Sequence, residues 1–289
     1  MVALICGALA LLPSSVPQKD NSRLVTLPGG KTIKIRSFAV GTDRDAAALA
    51  KSPADLIIVR ISSFTPNTAK FVSALQKRKS GRRAVFLDVP MFAGNPSNGA
   101  FWDADWDANR DGKPDEDAPT WLGPRDKKGW YPFDTSTGEL QKVVLGSAGL
   151  VAKVARAGFD GMIISAPEYS KTGSGVDVKL IADATIEGRK QREGFSVLLR
   201  NPGELMRFPA VRHFLDGFVL DGLFYGKDRV NEKTEEEEVE EVMKEMEEAV
   251  EDRKIVLSLA YATKPALIRD NAREAAKEGI LTVALPKRF

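Results

Sequence analysis

The chain contains one histidine, His213, and one cysteine, Cys6, among its 289 residues. A lone cysteine closes no internal disulfide. A lone histidine supplies no His-rich zinc site, Cys-His dyad or Ser-His-Asp triad. Chemistry must therefore run on carboxylates, amides, hydroxyls, Lys, Arg or Tyr. An excess of one charge is also missing, since 42 Lys+Arg against 40 Asp+Glu leave +2. So balanced a chain lacks the general field that draws proteins to nucleic acid, and none is expected as a partner. No Gly-rich phosphate loop or dinucleotide fingerprint separates a strand from a helix. Thr172-Gly173-Ser174-Gly175 reads as a flexible loop instead.

A long hydrophobic run is lacking too. Met1 to Leu12 (MVALICGALALL) is apolar and uncharged, but shorter than the roughly 20 residues that span a bilayer. Stable membrane insertion is not expected. The segment reads as the core of an export signal, with residues 1–15 removed near Ser14 or Ser15 and the mature chain secreted or periplasmic. A buried N-terminal strand or helix is the alternative.

What the sequence does have is alternation. Candidate strands lie at Ile33–Val40, Asp55–Arg60, Arg83–Val89, Gly161–Ser165, Ser196–Arg200, Gly217–Asp221, Ile255–Ala260 and Leu281–Leu285. Helical patterns fall between them at Asn67–Arg78, Glu139–Ala157, Val176–Arg192, Lys233–Asp252 and Pro265–Glu278, with shorter helices expected in Thr42–Lys51 and Pro202–His213. Unbroken apolar strands such as Leu56-Ile57-Ile58-Val59 suit a sheet covered on both faces. Eight such strands interleaved with helices point to an α/β fold, a (β/α)8 TIM barrel forming a single domain over residues 30–289. A doubly wound open sheet is the runner-up. The Glu-rich stretch Glu232–Asp252 reads as a solvated helix, because Val239, Val242, Met243, Met246 and Val250 draw an apolar stripe beneath the acids. His213, between Arg212 and Phe214, reads as structural.

Barrel active sites form where strands end. The polar residues there are Arg60, Asp88, Ser165, Glu168, Asn201, Asp221, Tyr225 and Tyr261. Glycoside hydrolysis needs one carboxylic acid to protonate the leaving oxygen and one carboxylate to attack the anomeric carbon or activate water. Asp88, Glu168 and Asp221 could supply that pair, although acids and hydroxyls at strand ends also serve as caps. The loop after strand 3, Phe101–Trp130, is rich in tryptophan. Sugar rings pack on such aromatics, and a long loop also needs anchors of this kind to fold. Within it, Asp107-x-Asn109-x-Asp111-Gly112-Lys113-Pro114-Asp115 has the alternating oxygens of a calcium loop, with Asp117 in place of the missing twelfth-position Glu. Metal-free Asx turns share that pattern.

Four stretches, Asp107–Gly123, Gly158–Tyr169, Arg200-Asn201-Pro202 and Asp216–Gly226, together and in order resemble the TIM-barrel glycoside hydrolases typified by endo-α-1,4-polygalactosaminidase, family 114 and its relatives. The resemblance runs from about Arg36 to the C-terminus. It implies a hydrolase acting on an exported polysaccharide rich in galactosamine or a related sugar. The family pattern ends strand 4 with an Asp, followed three residues later by a second acid, and carries a Glu on strand 6. Here those positions are Ser165, Glu168 and Asp221. Asp88 stands where relatives tend to have a small or hydroxyl residue. The expected machinery is thus Glu168 and Asp221 as acid and base or nucleophile, with Asp88 in reserve. Arg60, Ser165, Asn201, Tyr225, Tyr261 and Trp121 are the expected substrate contacts. No cofactor is required for catalysis. A structural calcium on Asp107, Asn109, Asp111 and Asp115 and a monomeric state complete the expectation. The competing reading is a calcium-stabilised barrel that binds carbohydrate without cleaving it.

Overall fold

The computed structural model describes residues 22–27, 30, 32–78, 81–96, 102–165 and 175–287. Eight parallel strands follow one another around a barrel in sequence order: β1 Phe38–Thr42, β2 Leu56–Arg60, β3 Ala84–Pro90, β4 Gly161–Ser165, β5 Ser196–Arg200, β6 Gly217–Asp221, β7 Ile255–Tyr261 and β8 Leu281–Leu285. The sequential order rules out the doubly wound sheet. The seam lies where β8 comes back beside β1. Side chains alternate between two apolar layers, as the two-residue period of a strand requires. Leu56, Ile58, Ala84, Phe86, Ile163, Leu198, Val219, Leu257 and Leu259 fill the interior. Their neighbours Ile57, Val59, Val85, Leu87, Met162, Ile164, Val197 and Leu199 pack outward against the helices.

The helices are α1 Ala46–Lys51, α2 Thr68–Gln76, α3 Gly138–Leu145, α4 Leu150–Arg156, α5 Gly175–Gln191, α6 Pro209–Phe214, α7 Glu236–Glu251 and α8 Pro265–Lys277. The acidic α7 turns its stripe inward: Met246 is buried, and Val239, Val242, Met243 and Val250 pack against the core. His213 ends α6 with its ring edge-on to Phe214 at 5.6 Å.

Two boundaries differ from the sequence reading. The single helix expected over Glu139–Ala157 is two, because the chain turns at Gly146–Gly149. Gly146 N–H closes on the Lys142 carbonyl at 2.9 Å, where a Cβ on residue 146 would meet that oxygen at 2.5 Å. The expected first strand, Ile33–Val40, is also divided. Thr32–Ile35 pairs antiparallel with Arg23–Thr26 in a hairpin, and only Phe38 onward enters the barrel. Val25, Leu27 and Ile35 from the hairpin join the interior core, so it plugs the amino-terminal end. Arg23 fixes it there by donating to the Lys254 and Gly279 carbonyls at 3.0 and 2.6 Å.

Three of the even-numbered strands open with the same device. Asp55, Asp160 and Asp216 precede β2, β4 and β6. Each carboxylate accepts a backbone N–H at the start of the preceding strand: Arg36 at 3.0 Å, Val85 at 3.1 Å and Val197 at 2.8 Å respectively. Each backbone carbonyl then accepts an N–H at the start of the following one, from Ala84, Ser196 and Ile255. Arginines neutralise all three acids: Arg78 on Asp55, Arg82 and Arg192 on Asp160, and Arg189 on Asp216. Glycine follows the last two because strands approach closely there. A Cβ at Gly161 would lie 2.4 Å from the Ser196 carbonyl oxygen, and one at Gly217 would lie 2.0 Å from that of Ile255.

Candidate functional site

The interior phase of each strand, continued upward by two residues, ends on a polar side chain. Leu56 and Ile58 lead to Arg60, Ala84 and Phe86 to Asp88, and Ile163 to Ser165. Leu198 leads to Arg200, Val219 to Asp221, and Leu259 to Tyr261. A polar layer contributed by β2 to β7 therefore caps the apolar interior at the carboxyl ends of the strands, where barrel chemistry is sited. A cavity of about 230 Å³ lies at the opposite end, between the hairpin and Arg189, Asp216 and Arg253, away from this layer.

Arg200 organises the layer. Its guanidinium is buried and forks onto Asp221, with Nη2 donating to Oδ2 at 2.8 Å and Nε lying 3.1 and 3.0 Å from Oδ1 and Oδ2. Its other amino group, Nη1, donates to Asp88 Oδ2 at 2.8 Å. The same Asp88 oxygen receives Arg60 through Nε at 2.9 Å and Nη2 at 2.8 Å. Tyr261 closes the ring with its hydroxyl 3.4 Å from Arg200 Nη2. Burial opposes the charge on Asp88. The Arg60 and Arg200 cations and the Ser165 hydroxyl more than offset it, holding the carboxyl below the usual carboxylate range. Burial likewise opposes the charge on Arg200, but Asp221, Asp88 and Tyr261 outweigh it and raise its pKa, so the guanidinium stays protonated.

Asp88 and Asp221 thus face each other across a guanidinium, not across space for a glycosidic bond. Asp88, with a side chain 1% exposed, is the anchor of two arginines, whereas the Asp221 side chain is 24% exposed. Asn201 lies beside it: its Nδ2 donates to Asp221 Oδ2 at 3.2 Å, and its Oδ1 accepts the Asp221 N–H at 2.8 Å. Ser165 sits in the layer as a neutral hydroxyl. Glu168, the other leading acid, lies outside the described residues, as do residues 1–15 of the expected export signal. The sequence reading quoted Arg200 only within the Arg200-Asn201-Pro202 stretch and gave it no role in the site, although its place two residues beyond the inward Leu198 gave the signal.

The expected aromatic contacts are placed differently. Tyr225 is buried, with its hydroxyl donating to Asp270 on α8 at 2.5 Å, so it ties the loop after β6 to an outer helix. Trp121 is also buried, stacked edge-on to Trp106 at 5.2 Å and to Phe133 at 4.9 Å. Trp102 continues the cluster onto Trp106 and Tyr131. Here the tryptophans serve as the hydrophobic anchors of the long loop.

The Asp-rich segment of that loop closes on itself. Asp107 accepts Gly112 N–H at 3.2 Å and the Tyr131 hydroxyl, while Asn109 accepts Asp111 N–H at 2.8 Å. Asp111 accepts Lys113 N–H at 2.8 Å, and Asp115 accepts Ala108 N–H at 2.7 Å. Burial first, and then the bond to Asp107, push the Tyr131 phenol up to about 12. Asp107 Oδ1 is buried without a hydrogen-bond partner. Among the described residues, no three acidic, histidine or cysteine side chains converge to hold a metal ion.

No protein-family profile matches this chain, and no curated protein matches its sequence. Solved structures do match its fold. The glycoside hydrolase domain of PelA from Pseudomonas aeruginosa superimposes with a TM-score of 0.60 at 12% identity, over 86% of this chain and 94% of that one. Ega3 of Aspergillus fumigatus, solved in complex with galactosamine, gives 0.55 at 12% identity, over 86% and 90%. The chain therefore shares the eight-stranded barrel fold of these two structures. Among the described residues no helix is long and apolar enough to cross a membrane.

Proposed function

We propose that this protein is an exported glycoside hydrolase acting on an amino-sugar or galactose-containing polysaccharide, with Asp221 as its catalytic carboxylate. The observation that carries this reading is the contrast at the barrel mouth: of the two described carboxylates in the polar layer, only Asp221 is open to solvent. The guanidinium fork holds the plane of the Asp221 carboxylate, which suits it to attack the anomeric carbon or to activate water. The proton for the leaving oxygen comes in this reading from Glu168, three residues beyond β4. The fold shared with the PelA hydrolase domain and the galactosamine-bound Ega3 supports the sugar class. A calcium ion, where one binds, would use the unpaired Asp107 oxygen, with Asn109, Asp111 and Asp115 turning from their present bonds. It would brace the loop and take no part in bond cleavage.

The test is reducing-end release from a panel of polymers that includes partly deacetylated galactosaminan, with calcium and with chelator. Asp221→Asn and Glu168→Gln are each expected to lose about 10²-fold or more of the rate while remaining folded, and chelation to leave the wild-type rate unchanged. A second reading rests on the burial of Asp88 and the neutral Ser165, which leave Asp221 as the one solvent-open carboxylate of the described layer. On that reading the barrel binds its sugar without cleaving it. Galactosamine binding with no release from any polymer would establish it.

A further inference from the structure

We infer that Arg200 and Asn201 act together as a clamp that positions Asp221, and that Asn201 keeps a left-handed backbone for this purpose. The inference rests on Asp221 being the working carboxylate of the proposed hydrolase.

Asn201 has φ +47°, a conformation that non-glycine residues rarely adopt. It also precedes Pro202, which disfavours compact backbone at the residue before it. Such strain persists only where surrounding contacts over-determine it. Here those contacts run to β6. The Asn201 N–H donates to the Val219 carbonyl at 2.8 Å, two residues before Asp221. Its side chain then takes the Asp221 N–H and returns its own amide proton to the Asp221 carboxylate. One asparagine thereby holds both the backbone and the side chain of one aspartate. Glycine would meet the backbone requirement at lower cost, so the turn alone does not explain the residue.

Arg200 supplies the second jaw. Its fork fixes the plane of the Asp221 carboxylate, and its remaining amino group is braced by Asp88, itself held by Arg60. Position is thus passed from β2 through β3 and β5 to β6. Asp88, in this view, is a positioning residue and not the reserve acid.

Asn201→Gly separates the clamp from the turn. It removes both side-chain bonds while suiting the left-handed backbone, so the variant should remain folded. With the clamp, kcat falls at least about 10-fold and KM moves little, because misplacing a reacting group by about 1 Å can cost on the order of 10²-fold in rate. The crystal structure of the variant should show the Asp221 carboxylate rotated or in two positions. Arg200→Lys, which keeps the charge and loses the fork, should lower kcat in the same way. A glycine variant with wild-type kcat and an unmoved carboxylate overturns the clamp and leaves the hydrolase reading standing. If wild type cleaves nothing, the hydrolase reading fails. The clamp is then decided by the Asp221 position in the two structures alone: displaced in the variant supports it, unmoved overturns it.

Discussion

Asp88 shows how an acid buried in an apolar barrel can be more firmly ionised than one in water. Its desolvation is large, but two guanidiniums within 2.9 Å reverse the outcome. Asp88→Asn should destabilise the fold by about 3 kcal/mol at neutral pH, since it removes the buried carboxylate charge that Arg60 and Arg200 share. The sign with pH follows from the depressed pKa. The contribution of Asp88 is complete above the ordinary carboxylate value near 4 and is lost as pH falls through its lower folded value. Urea denaturation of both proteins should show a gap that narrows in acid, and a gap that widened would contradict the assignment. Much of this site was legible in the sequence, since strand-end position and two-residue phase select Arg60, Asp88, Ser165 and Asp221. What spacing could not convey is that Asp88 and Asp221 share one guanidinium, because that depends on strands distant in the chain. Nor could it show that Tyr225 and Trp121, both plausible sugar platforms, are spent on packing.

At the scale of the element, barrel strands β2 to β8 stand close to where periodicity puts them, while the first strand is displaced and one expected helix is two. The misses have local causes. The second hairpin strand, Thr32–Ile35, runs on toward β1 with no turn residue between them, and the bonds of Arg36 and Ser37 to Asp55 mark the corner. Part of the resemblance quoted from the sequence also turns out to be architectural. The Asp-Gly pairs at 160–161 and 216–217 lie at the base of β4 and β6, far from the chemistry, and register one strand against the next. Asp160 is fully buried and holds Val85, Gln76 and two arginines. Asp160→Ala should therefore cost about 3–5 kcal/mol, the range for breaking one partner from a buried ion pair. Asp216→Ala should cost less, because its side chain is one-third exposed. Denaturation midpoints for the pair check the order, and equal losses would mean that burial is not what sets it.

For the molecule as a whole, the two ends of the barrel are sealed by different means. The amino-terminal end is closed by an apolar hairpin, and the carboxyl-terminal end carries a lattice of ion pairs in which, among the described residues, Asp221 is the carboxylate partly open to solvent. The repeated aspartate links β1 to β2, β3 to β4 and β5 to β6, but Ile280 stands where a fourth would join β7 to β8. That omission falls next to the seam. Local opening follows the least-secured joint of a fold, so backbone amides of β8 should exchange with deuterium faster than those of β4, which lies between two clamped neighbours. Uniform protection around the ring would refute this. The barrel would then behave less like a closed hoop than like a bracelet with its clasp at the β8–β1 junction, and new chain ends introduced there should be tolerated better than anywhere else on its circumference.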